Sequence, residues 1–397
     1  MMAVRKKSIR NIASKNNFRI VDLRFRMKNV LIVYGIACLF YACSNVEAIN
    51  FVKKGEAEDS KKNYRAALED YDKAIKLDPD YVIAYTDRGA TRQEMKDYQG
   101  AKQDFDKAIE INPNFANSYV GRGSLEEDMN NHKDALNDYN KAIELKPDYA
   151  PAYNNRGMLE DGNKDYKDAL SDLFKAIKLN PNYRIAYSNR ALIYIHGHDY
   201  VTAIQDCQTA IQLDPNDAIS YCHLGDAYYG LKSYALAIDN YDEAIKLDPY
   251  ATLAYENRGF VKYLLNEYTD AIKDYSKAIE LDSTEPIPYY NTGLAEFKLK
   301  NYERAIQNYN KSIKLDPVFT YAYYNRGRTE SAMKKYNDAI VDFGKAIELD
   351  STDMDSYNNR AYAKMKLGDK NGCCLDLNQA IRLGSEYAKD SLKKYCQ

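Results

Sequence analysis

The stretch AYNNRG at residues 152–157 recurs along the chain with small changes. Its near-copies are AYSNRA at 186–191, AYENRG at 254–259, AYYNRG at 322–327 and SYNNRA at 356–361. The copies are separated by multiples of 34 residues. A fixed period of this length is typical of stacked repeat architectures. The chain, 397 residues long, is therefore predicted to be built from copies of one short unit.

Prolines mark the register of the repeat, because proline cannot continue a helix and so separates one unit from the next. Ten units of 34 residues fill residues 48–387 without an insertion. Positions within each unit are numbered here from 1 to 34, starting at Ala48. Position 32 is Ser283, Ser351 or Ser385 in three units and otherwise Pro79, Pro113, Pro147, Pro181, Pro215, Pro249 or Pro317.

Two stripes of aromatic and small residues within each unit predict two helices. In the third unit Tyr119 and Gly123, at positions 4 and 8, are spaced to share one helical face. Ala135, Tyr139 and Ala142, at positions 20, 24 and 27, form the apolar stripe of a second helix. Each unit is therefore predicted to be a helical hairpin that buries its apolar side only by stacking on its neighbours.

The pattern resembles the tetratricopeptide repeat: an aromatic at position 4, Gly at 8, Ala at 20 and 27, an aromatic at 24 and Pro at 32. The match covers 340 of 397 residues. It departs from the family at position 4, which is Tyr rather than Trp, and at position 7, which is usually Arg rather than Leu. The resemblance implies an all-α, right-handed α-solenoid of ten 34-residue helical hairpins. Residues 388–397 are predicted to form a C-terminal capping helix.

The N-terminal segment predicts export. Residues 30–42, VLIVYGIACLFYA, form an apolar run of 13 residues, which is short for a membrane span and suits a signal-peptide core. Residues 27–47 are predicted to be a signal peptide, cleaved after Ala48, or a lipoprotein signal, with Cys43 acylated; an uncleaved anchor is the alternative. Residues 1–26 are a basic N-terminal extension or a mis-called start. With a bacterial source assumed, we expect a periplasmic, lipid-anchored or secreted protein.

Positions 7 and 23 vary together. Position 7 is basic in eight units and position 23 is Asp in the same eight. The exceptions, Leu224 and Thr292, occur in the units that carry Asn240 and Asn308 at position 23. Such joint variation suggests contact, because removing one member of a buried ion pair leaves an uncompensated charge. The sequence predicts structural salt bridges within hairpins: Arg88–Asp104, Arg122–Asp138, Arg156–Asp172, Arg190–Asp206, Arg258–Asp274, Arg326–Asp342 and Arg360–Asp376.

Positions 6 and 12 are candidate binding positions. The resemblance implies that the first helix of each hairpin lines a concave groove, where an Asn amide can hold a peptide backbone. A purely structural role of the Asn, and packing of the aromatic side chains between hairpins, are the alternatives. The predicted groove residues are Asn155, Asn189, Asn257, Asn291, Asn325 and Asn359 at position 6, with Tyr229, Tyr263 and Phe297 at position 12.

The charge pattern indicates the partner's chemistry. Residues 1–47 carry nine basic and two acidic residues, so the remainder of the chain is acidic. An acidic body argues against nucleic acid as a partner. Early groove positions are polar or acidic, whereas the middle ones are aromatic, so we expect a protein or peptide partner with basic and apolar segments. The early positions are Asp59, Gln93, Glu127 and Asp161 at position 12, with Glu94 and Asp128 at position 13.

No motif predicts catalysis. The chain has no phosphate-binding loop, GxSxG or HExxH sequence, and its four histidines lack the spacing of metal ligands. We expect no enzyme activity, no metal site and no cofactor. The cysteines form no evident framework, so we expect no dependence on disulfides, although an oxidising compartment would permit an occasional bridge. The leading hypothesis is a non-catalytic scaffold that binds a partner in its groove; the alternative is a structural protein that self-assembles through convex or end surfaces.

Overall fold

A computed structural model describes residues 46–162 and 164–396. These residues belong to two compact units, which meet in the sequence at Pro181 and Asn182. The predicted N-terminal extension and nearly all of the predicted export segment, including Cys43, lie outside the described residues. None of the described helices is long and apolar enough to cross a membrane.

The first unit contains four helical hairpins. In each hairpin the first helix is called the A helix and the second the B helix. The helices are α1 (46–59), α2 (Tyr64–Leu77), α3 (Val82–Glu94), α4 (Tyr98–Ile111), α5 (Ala116–Asp128), α6 (His132–Leu145), α7 (Ala150–Gly162) and α8 (Tyr166–Leu179).

The second unit contains six more hairpins and one further helix. The helices are α9 (Arg184–His196), α10 (Tyr200–Leu213), α11 (Ala218–Gly230), α12 (Tyr234–Leu247), α13 (Thr252–Leu264), α14 (Tyr268–Leu281), α15 (Pro286–Lys298), α16 (Tyr302–Leu315), α17 (Thr320–Ala332), α18 (Tyr336–Leu349), α19 (Met354–Lys366), α20 (Lys370–Arg382) and α21 (Glu386–Tyr395). The described residues form no strands, and the all-α fold class with one hairpin per 34-residue unit is confirmed.

Close packing inside each hairpin depends on the small residue at position 8. A Cβ atom built on Gly123 would lie 2.6 Å from the ring of Tyr139. A Cβ atom built on Gly225 would lie 2.5 Å from the ring of Tyr241. Both tyrosine rings are buried, so the position-24 ring occupies the space that a larger residue at position 8 would need. Positions 8 and 24 therefore set the distance between the A and B helices.

The turn between the two helices has one fixed backbone feature. The residue at position 15 has a positive φ in every hairpin, from Lys62 (59°) to Gly368 (84°). Only Gly368 is a glycine among these residues, although glycine adopts this conformation at the lowest cost. In the second hairpin the amide of Asp97 donates to the carbonyl oxygen of Arg92 at 2.9 Å, which ends the A helix. The sequence pattern alone gave no indication of this turn.

The proline at position 32 lies in the turn between hairpins rather than at the start of the next helix. Pro79 and Pro113 are both turn residues, and the next helices begin at Val82 and Ala116. The preceding polar residue organises this turn: Asp78 Oδ1 accepts a hydrogen bond from the amide of residue 80 at 3.1 Å. Proline therefore acts here by ending the B helix and shaping the turn.

An arginine–aspartate pair joins the two helices of seven hairpins. In the fourth hairpin Arg156 Nε donates to Asp172 Oδ2 at 2.6 Å and Nη2 donates to Oδ1 at 2.8 Å. The same two-bond geometry forms at every other pair that the sequence predicts, with distances of 2.5–3.0 Å. The aspartate side chains are buried, whereas the arginines keep 12–24% of their side-chain surface exposed.

The arginines of five of these hairpins also bind the preceding hairpin. The Nη1 atom of Arg156 donates to Asn140 Oδ1 at 2.6 Å, and that of Arg122 donates to Asp106 Oδ1 at 2.7 Å. Both acceptors are at position 25 of the preceding B helix. In the hairpin before the last one this position is Gly344, where a Cβ atom would be 3.6 Å from Nη1 of Arg360 in the last hairpin. One guanidinium thus connects three helices wherever position 25 carries a polar side chain.

The final helix, α21, begins at Glu386 and so starts two residues before the predicted boundary. The Ser385 side chain caps it by accepting from the amide of Ala388 at 3.1 Å. Ala388 is buried against the last hairpin, together with Cys373 and Leu377. The helix therefore covers the end of the stack, as the capping prediction requires.

A disulfide between Cys374 and Cys396 joins α20 to the C-terminal end of α21. The bridge is of the occasional kind that the sequence left open, and the described residues show no wider disulfide framework. The two cysteines are 22 residues apart in sequence, and only the return of α21 onto α20 brings them together. Cys373 next to Cys374 is a buried free thiol, consistent with the small buried residue that position 20 requires.

We predict that Arg156→Leu destabilises the protein by about 3 kcal/mol, because it leaves the Asp172 carboxylate buried without its cation. Adding Asp172→Asn restores part of this loss, since the resulting Leu–Asn pair is the one that the chain itself carries at Leu224 and Asn240. There the Asn240 amide turns back to the carbonyl oxygen of Leu236 at 2.7 Å. Urea unfolding of the single and double variants measures the interaction free energy between Arg156 and Asp172.

The control is an exposed ion pair, Lys273 with Asp270. Because solvent screens this pair, Lys273→Met lowers the free energy of unfolding far less than Arg156→Leu does. Strictly additive effects of Arg156→Leu and Asp172→Asn would contradict the buried-pair interpretation.

Candidate functional site

Positions 2, 6, 9, 12 and 13 of each repeat lie along one side of the A helix, which we call the A-helix face. Two hydrogen bonds show the alignment of positions 2 and 6. The Asn325 amide donates to the carbonyl oxygen of Tyr321 at 3.0 Å, and the Asn359 amide donates to that of Asp355 at 2.8 Å. All the predicted groove residues belong to this face.

Position 2 of the A-helix face carries exposed apolar side chains in the second unit. Leu253 is 67% exposed, Tyr321 66% and Ile219 61%. Ile185 and Ile287 continue the same row. Position 2 was not predicted from the sequence, although its spacing of four residues from the position-6 asparagines places it on the same face. A row of large exposed apolar residues is unusual on a protein surface without a partner.

The position-6 asparagines form hydrogen bonds between neighbouring hairpins. Asn325 Nδ2 donates to the Tyr290 hydroxyl at 3.0 Å, and Asn359 Nδ2 donates to the Tyr324 hydroxyl at 3.2 Å. Asn257 Nδ2 donates to Asp226 Oδ1 at 2.8 Å. These amide donors are occupied within the chain, which gives the three asparagines a structural role. Their contact with a bound peptide stays a prediction.

The remaining predicted asparagines also lie on this face. Asn155 accepts a hydrogen bond from the Asn154 amide at 3.0 Å. Asn155, Asn189 and Asn291 are all half-buried. Their peptide-binding role likewise stays a prediction.

Aromatic side chains form a half-buried cluster on the A-helix face of the second unit. The Tyr229 ring lies 5.9 Å from Phe260, and Phe260 stacks on Tyr263 at 6.5 Å, measured between ring centroids. Phe297 packs against Tyr302 at 5.6 Å. Tyr229 and Tyr263 were predicted from position 12, whereas Phe260, at position 9, was missed. The cluster is partly accessible, so its rings both support the hairpins and present apolar surface.

Asp226, at position 9, connects the buried Tyr241 of the B helix to Asn257 of the position-6 row. Its Oδ1 atom accepts from the Tyr241 hydroxyl at 2.7 Å and from the Asn257 amide at 2.8 Å. Burial raises the pKa of the Asp226 carboxyl to about 6, despite the two donors that favour its charged form. This side chain therefore titrates closer to neutrality than an ordinary aspartate.

The A-helix face of the first unit has acidic character. Asp87 at position 6 is near Glu56 and Asp59 of the preceding repeat, and burial, followed by these two charges, raises the pKa of Asp87 to about 7. Thr91 donates to Asp59 Oδ1 at 3.1 Å. Glu127 has a raised pKa because of burial, while its carboxylate accepts from the Tyr139 hydroxyl.

Family models match segments of both units. A model described as a tetratricopeptide repeat matches residues 82–115, 150–183, 185–217, 218–250 and 320–353. A model described as a TPR repeat matches residues 55–96, 128–162, 261–300 and 293–329. The chain belongs to the tetratricopeptide-repeat family. This family membership supports a general role in protein interaction.

Solved tetratricopeptide-repeat structures share the fold at low sequence identity. The chain resembles a structure of the Cut9–Hcn1 hetero-tetramer of APC/C, with a TM-score of 0.56, 14% identity, and coverage of 88% of this chain and 76% of that one. A tetratricopeptide repeat protein from Parabacteroides merdae gives a TM-score of 0.50 at 21% identity, covering 63% of this chain and 98% of the other. No curated protein sequence matches the chain.

Histidines and cysteines also lie near the A-helix face. His223 Nδ1 lies 3.1 Å from the Ser188 hydroxyl, and burial lowers the pKa of this histidine. Burial raises the pKa of the Cys222 thiol, so the thiol stays protonated at neutral pH. Across residues 46–162 and 164–396, no three His, Cys, Asp or Glu side chains are arranged to hold a metal ion.

We predict that Asp226→Asn raises stability at pH 7 by about 1–2 kcal/mol. The folded-state pKa of Asp226 lies above its ordinary value of 3.8, so the folded protein holds this proton where the unfolded chain releases it. Wild-type stability therefore falls as pH rises from about 4 to about 6, and the variant does not show this loss of stability. Urea unfolding at several pH values measures the difference. If the variant exceeds the wild type in free energy of unfolding by as much at pH 3 as at pH 7, the prediction is contradicted.

Proposed function

We propose that this tetratricopeptide-repeat chain is a non-catalytic scaffold that binds a peptide or protein partner on its A-helix face. The observation that carries the proposal is the row of exposed apolar side chains at position 2, which runs beside the half-buried aromatic cluster. Leu253, Ile287 and Tyr321 belong to the row. Phe260 and Tyr263 belong to the cluster.

The physical argument is the cost of exposed apolar surface. Covering it releases about 25 cal/mol for each Å² removed from water. Aromatic side chains gain most on binding because they bring a large contact area at a low conformational cost. An extended or helical segment laid along these A helices would bury the position-2 side chains and the accessible edges of the rings.

The acidic A-helix face of the first unit suggests part of the partner's chemistry. Asp59, Asp87, Glu94 and Asp128 project from this face, and Gln93 links neighbouring repeats by donating to Asp128 Oδ2 at 2.8 Å. A partner that meets this region needs basic groups, and one that meets the second unit needs apolar groups. We therefore propose a protein partner with basic and apolar segments. The acidic face disfavours nucleic acid.

A structural role through self-association is the second candidate. It is favoured by exposed apolar residues on B helices, among them Val341 at 70% exposure and Leu375 at 71%. These side chains lie at position 22, outside the A-helix face. Light scattering at increasing protein concentration tests this candidate, because self-association through these residues would be reduced by Val341→Ser combined with Leu375→Ser.

Panning a displayed library of random peptides tests the binding function. We expect the full chain to enrich related sequences, and a variant combining Tyr229→Ser, Tyr263→Ser and Phe297→Ser to lose them, because the apolar contact surface is gone. The matched control combines Val341→Ser with Leu375→Ser and keeps the enrichment. Equal enrichment by the wild type and the Tyr229, Tyr263 and Phe297 variant would contradict binding on this face.

We further propose that the protein is exported, and that acylated Cys43 is its mature N-terminus. Two observations support this. The Cys374–Cys396 disulfide suits an oxidising compartment. Ala48, after which ordinary signal peptidase would cut, is buried within α1 and packs in the core of the first hairpin with Val52. Acylation at Cys43 retains this packing, whereas cleavage after Ala48 removes part of it.

Mass spectrometry of the full-length gene product, expressed with a C-terminal tag in a bacterium that processes lipoproteins, tests the export proposal. We expect a lipid-modified N-terminal peptide that begins at Cys43, and a Cys43→Ser variant without the modification. Maleimide should label Cys374 and Cys396 only after reduction. An N-terminus at residue 49, or an unprocessed chain, would contradict acylation at Cys43.

A further inference from the structure

The A-helix face of repeats 7–9, which comprise residues 252–353, carries no carboxylate at its defining positions. Two of these side chains, Lys298 and Arg328, are cationic. The others are neutral: Leu253, Asn257, Phe260, Tyr263 and Leu264 on α13, Ile287, Asn291, Leu294 and Phe297 on α15, and Tyr321, Asn325, Ser331 and Ala332 on α17.

Arg328 is the cation that α17 contributes to this surface. It is exposed, and its guanidinium carbon lies 5.5 Å from the Phe297 ring centroid and 5.6 Å from that of Tyr324. Nη1 donates to Asn325 Oδ1 at 3.0 Å. Among residues 46–162 and 164–396, Arg328 forms no ion pair with a carboxylate. The guanidinium is therefore held by aromatic rings and one amide, with donors left over.

The carboxylates elsewhere on the same helices face different environments. Glu296 on α15 accepts from the Asn301 amide at 2.6 Å. Glu330 on α17 is half-buried, near Asp342 of the B helix. Glu256 on α13 is half-buried at position 5, and the charges nearest to it are Glu285 and Asp282 in the turn before α15. None of the three forms an ion pair with Arg328.

Arg328 differs from the arginines at position 7. Arg326, two residues earlier, donates from its guanidinium to Asp342 and to Asn310 of the preceding hairpin. Arg328, in contrast, has weak, neutral partners and exposed donors. A fixed, exposed guanidinium on an apolar surface is suited to a carboxylate, which it can bind through two parallel hydrogen bonds.

We propose that the A-helix face of repeats 7–9 binds a peptide segment in which one acidic residue is flanked by apolar side chains. The carboxylate binds Arg328, and the apolar neighbours cover Phe260, Phe297 and Tyr321. This inference rests on the proposed function and adds to it an acidic requirement for this part of the second unit, distinct from the basic segments that the acidic first unit favours. Surrounding apolar surface strengthens the charge pairing because it excludes water.

Fluorescence anisotropy with three labelled peptide amides tests the inference on the full chain. The probe is fluorescein-Gly-Leu-Phe-Asp-Leu-Phe-Gly-amide, and the matched peptides replace its Asp by Asn or by Lys. We expect the Asp peptide to bind at least about tenfold more tightly than the Asn peptide, with the Lys peptide weakest. Raising the salt concentration reduces the difference in affinity between the Asp and Asn peptides, because the ion pair between Arg328 and the peptide carboxylate is partly exposed.

The decisive variant is Arg328→Gln, which removes the charge from an exposed side chain and leaves the packed rings in place. We expect it to bind the Asp and Asn peptides equally. The control is Arg304→Gln on the B helix α16, whose side chain is 72% exposed; it removes the same charge from the second unit and keeps the Asp preference. Circular dichroism verifies that both variants are folded.

Equal binding of the Asp and Asn peptides to the wild type, or a preference that survives Arg328→Gln, would overturn the inference. If none of the three peptides binds while the library selection enriches others through the aromatic cluster, the acidic requirement is wrong and the proposed function stands. If the selection also shows no dependence on Tyr229, Tyr263 and Phe297, both are wrong.

Discussion

The buried aspartate at position 23 is the constraint on which the hairpins depend. Its carboxylate lies inside the hairpin, where a charge without a partner is costly, and the position-7 arginine meets it with two parallel hydrogen bonds in seven repeats. Because guanidinium is planar and has five donors, the same side chain can also reach position 25 of the preceding hairpin. One residue pair thus sets both the helix-to-helix geometry within a repeat and part of the contact between repeats.

The charged side chains that hold the hairpins together are different from those that are presented on the A-helix face. The position-7 arginines form ion pairs and hydrogen bonds between helices, so they do not contribute charge to the A-helix face. The face is defined instead by positions 2, 6, 9, 12 and 13, whose side chains differ from repeat to repeat. Glu56, Asp59 and Asp87 make it acidic in the first unit. Arg328 and its aromatic neighbours make it cationic and apolar in repeats 7–9.

Much of the fold could be predicted because it follows from periodic local rules. Position 8 must be small where Tyr139 or Tyr241 packs on it. The joint change at Leu224 and Asn240 indicated the arginine–aspartate pair from the sequence alone. The candidate site was predicted less completely. Tyr229 and Tyr263 were found by their residue type, but the exposed position-2 row, Phe260 and Arg328 were missed, since exposure depends on which neighbouring side chains cover a residue.

The sequence by itself determined the repeat length, the helical hairpin and the arginine–aspartate pairing, because each depends on residues at fixed short spacings. Only the tertiary structure decided how the side chains are used. It assigned the Asn325 and Asn359 amides to tyrosines of the preceding repeat, and it brought Cys374 to Cys396. These contacts join residues more than 20 positions apart, and they depend on how successive hairpins and the last helix pack, which no local spacing specifies.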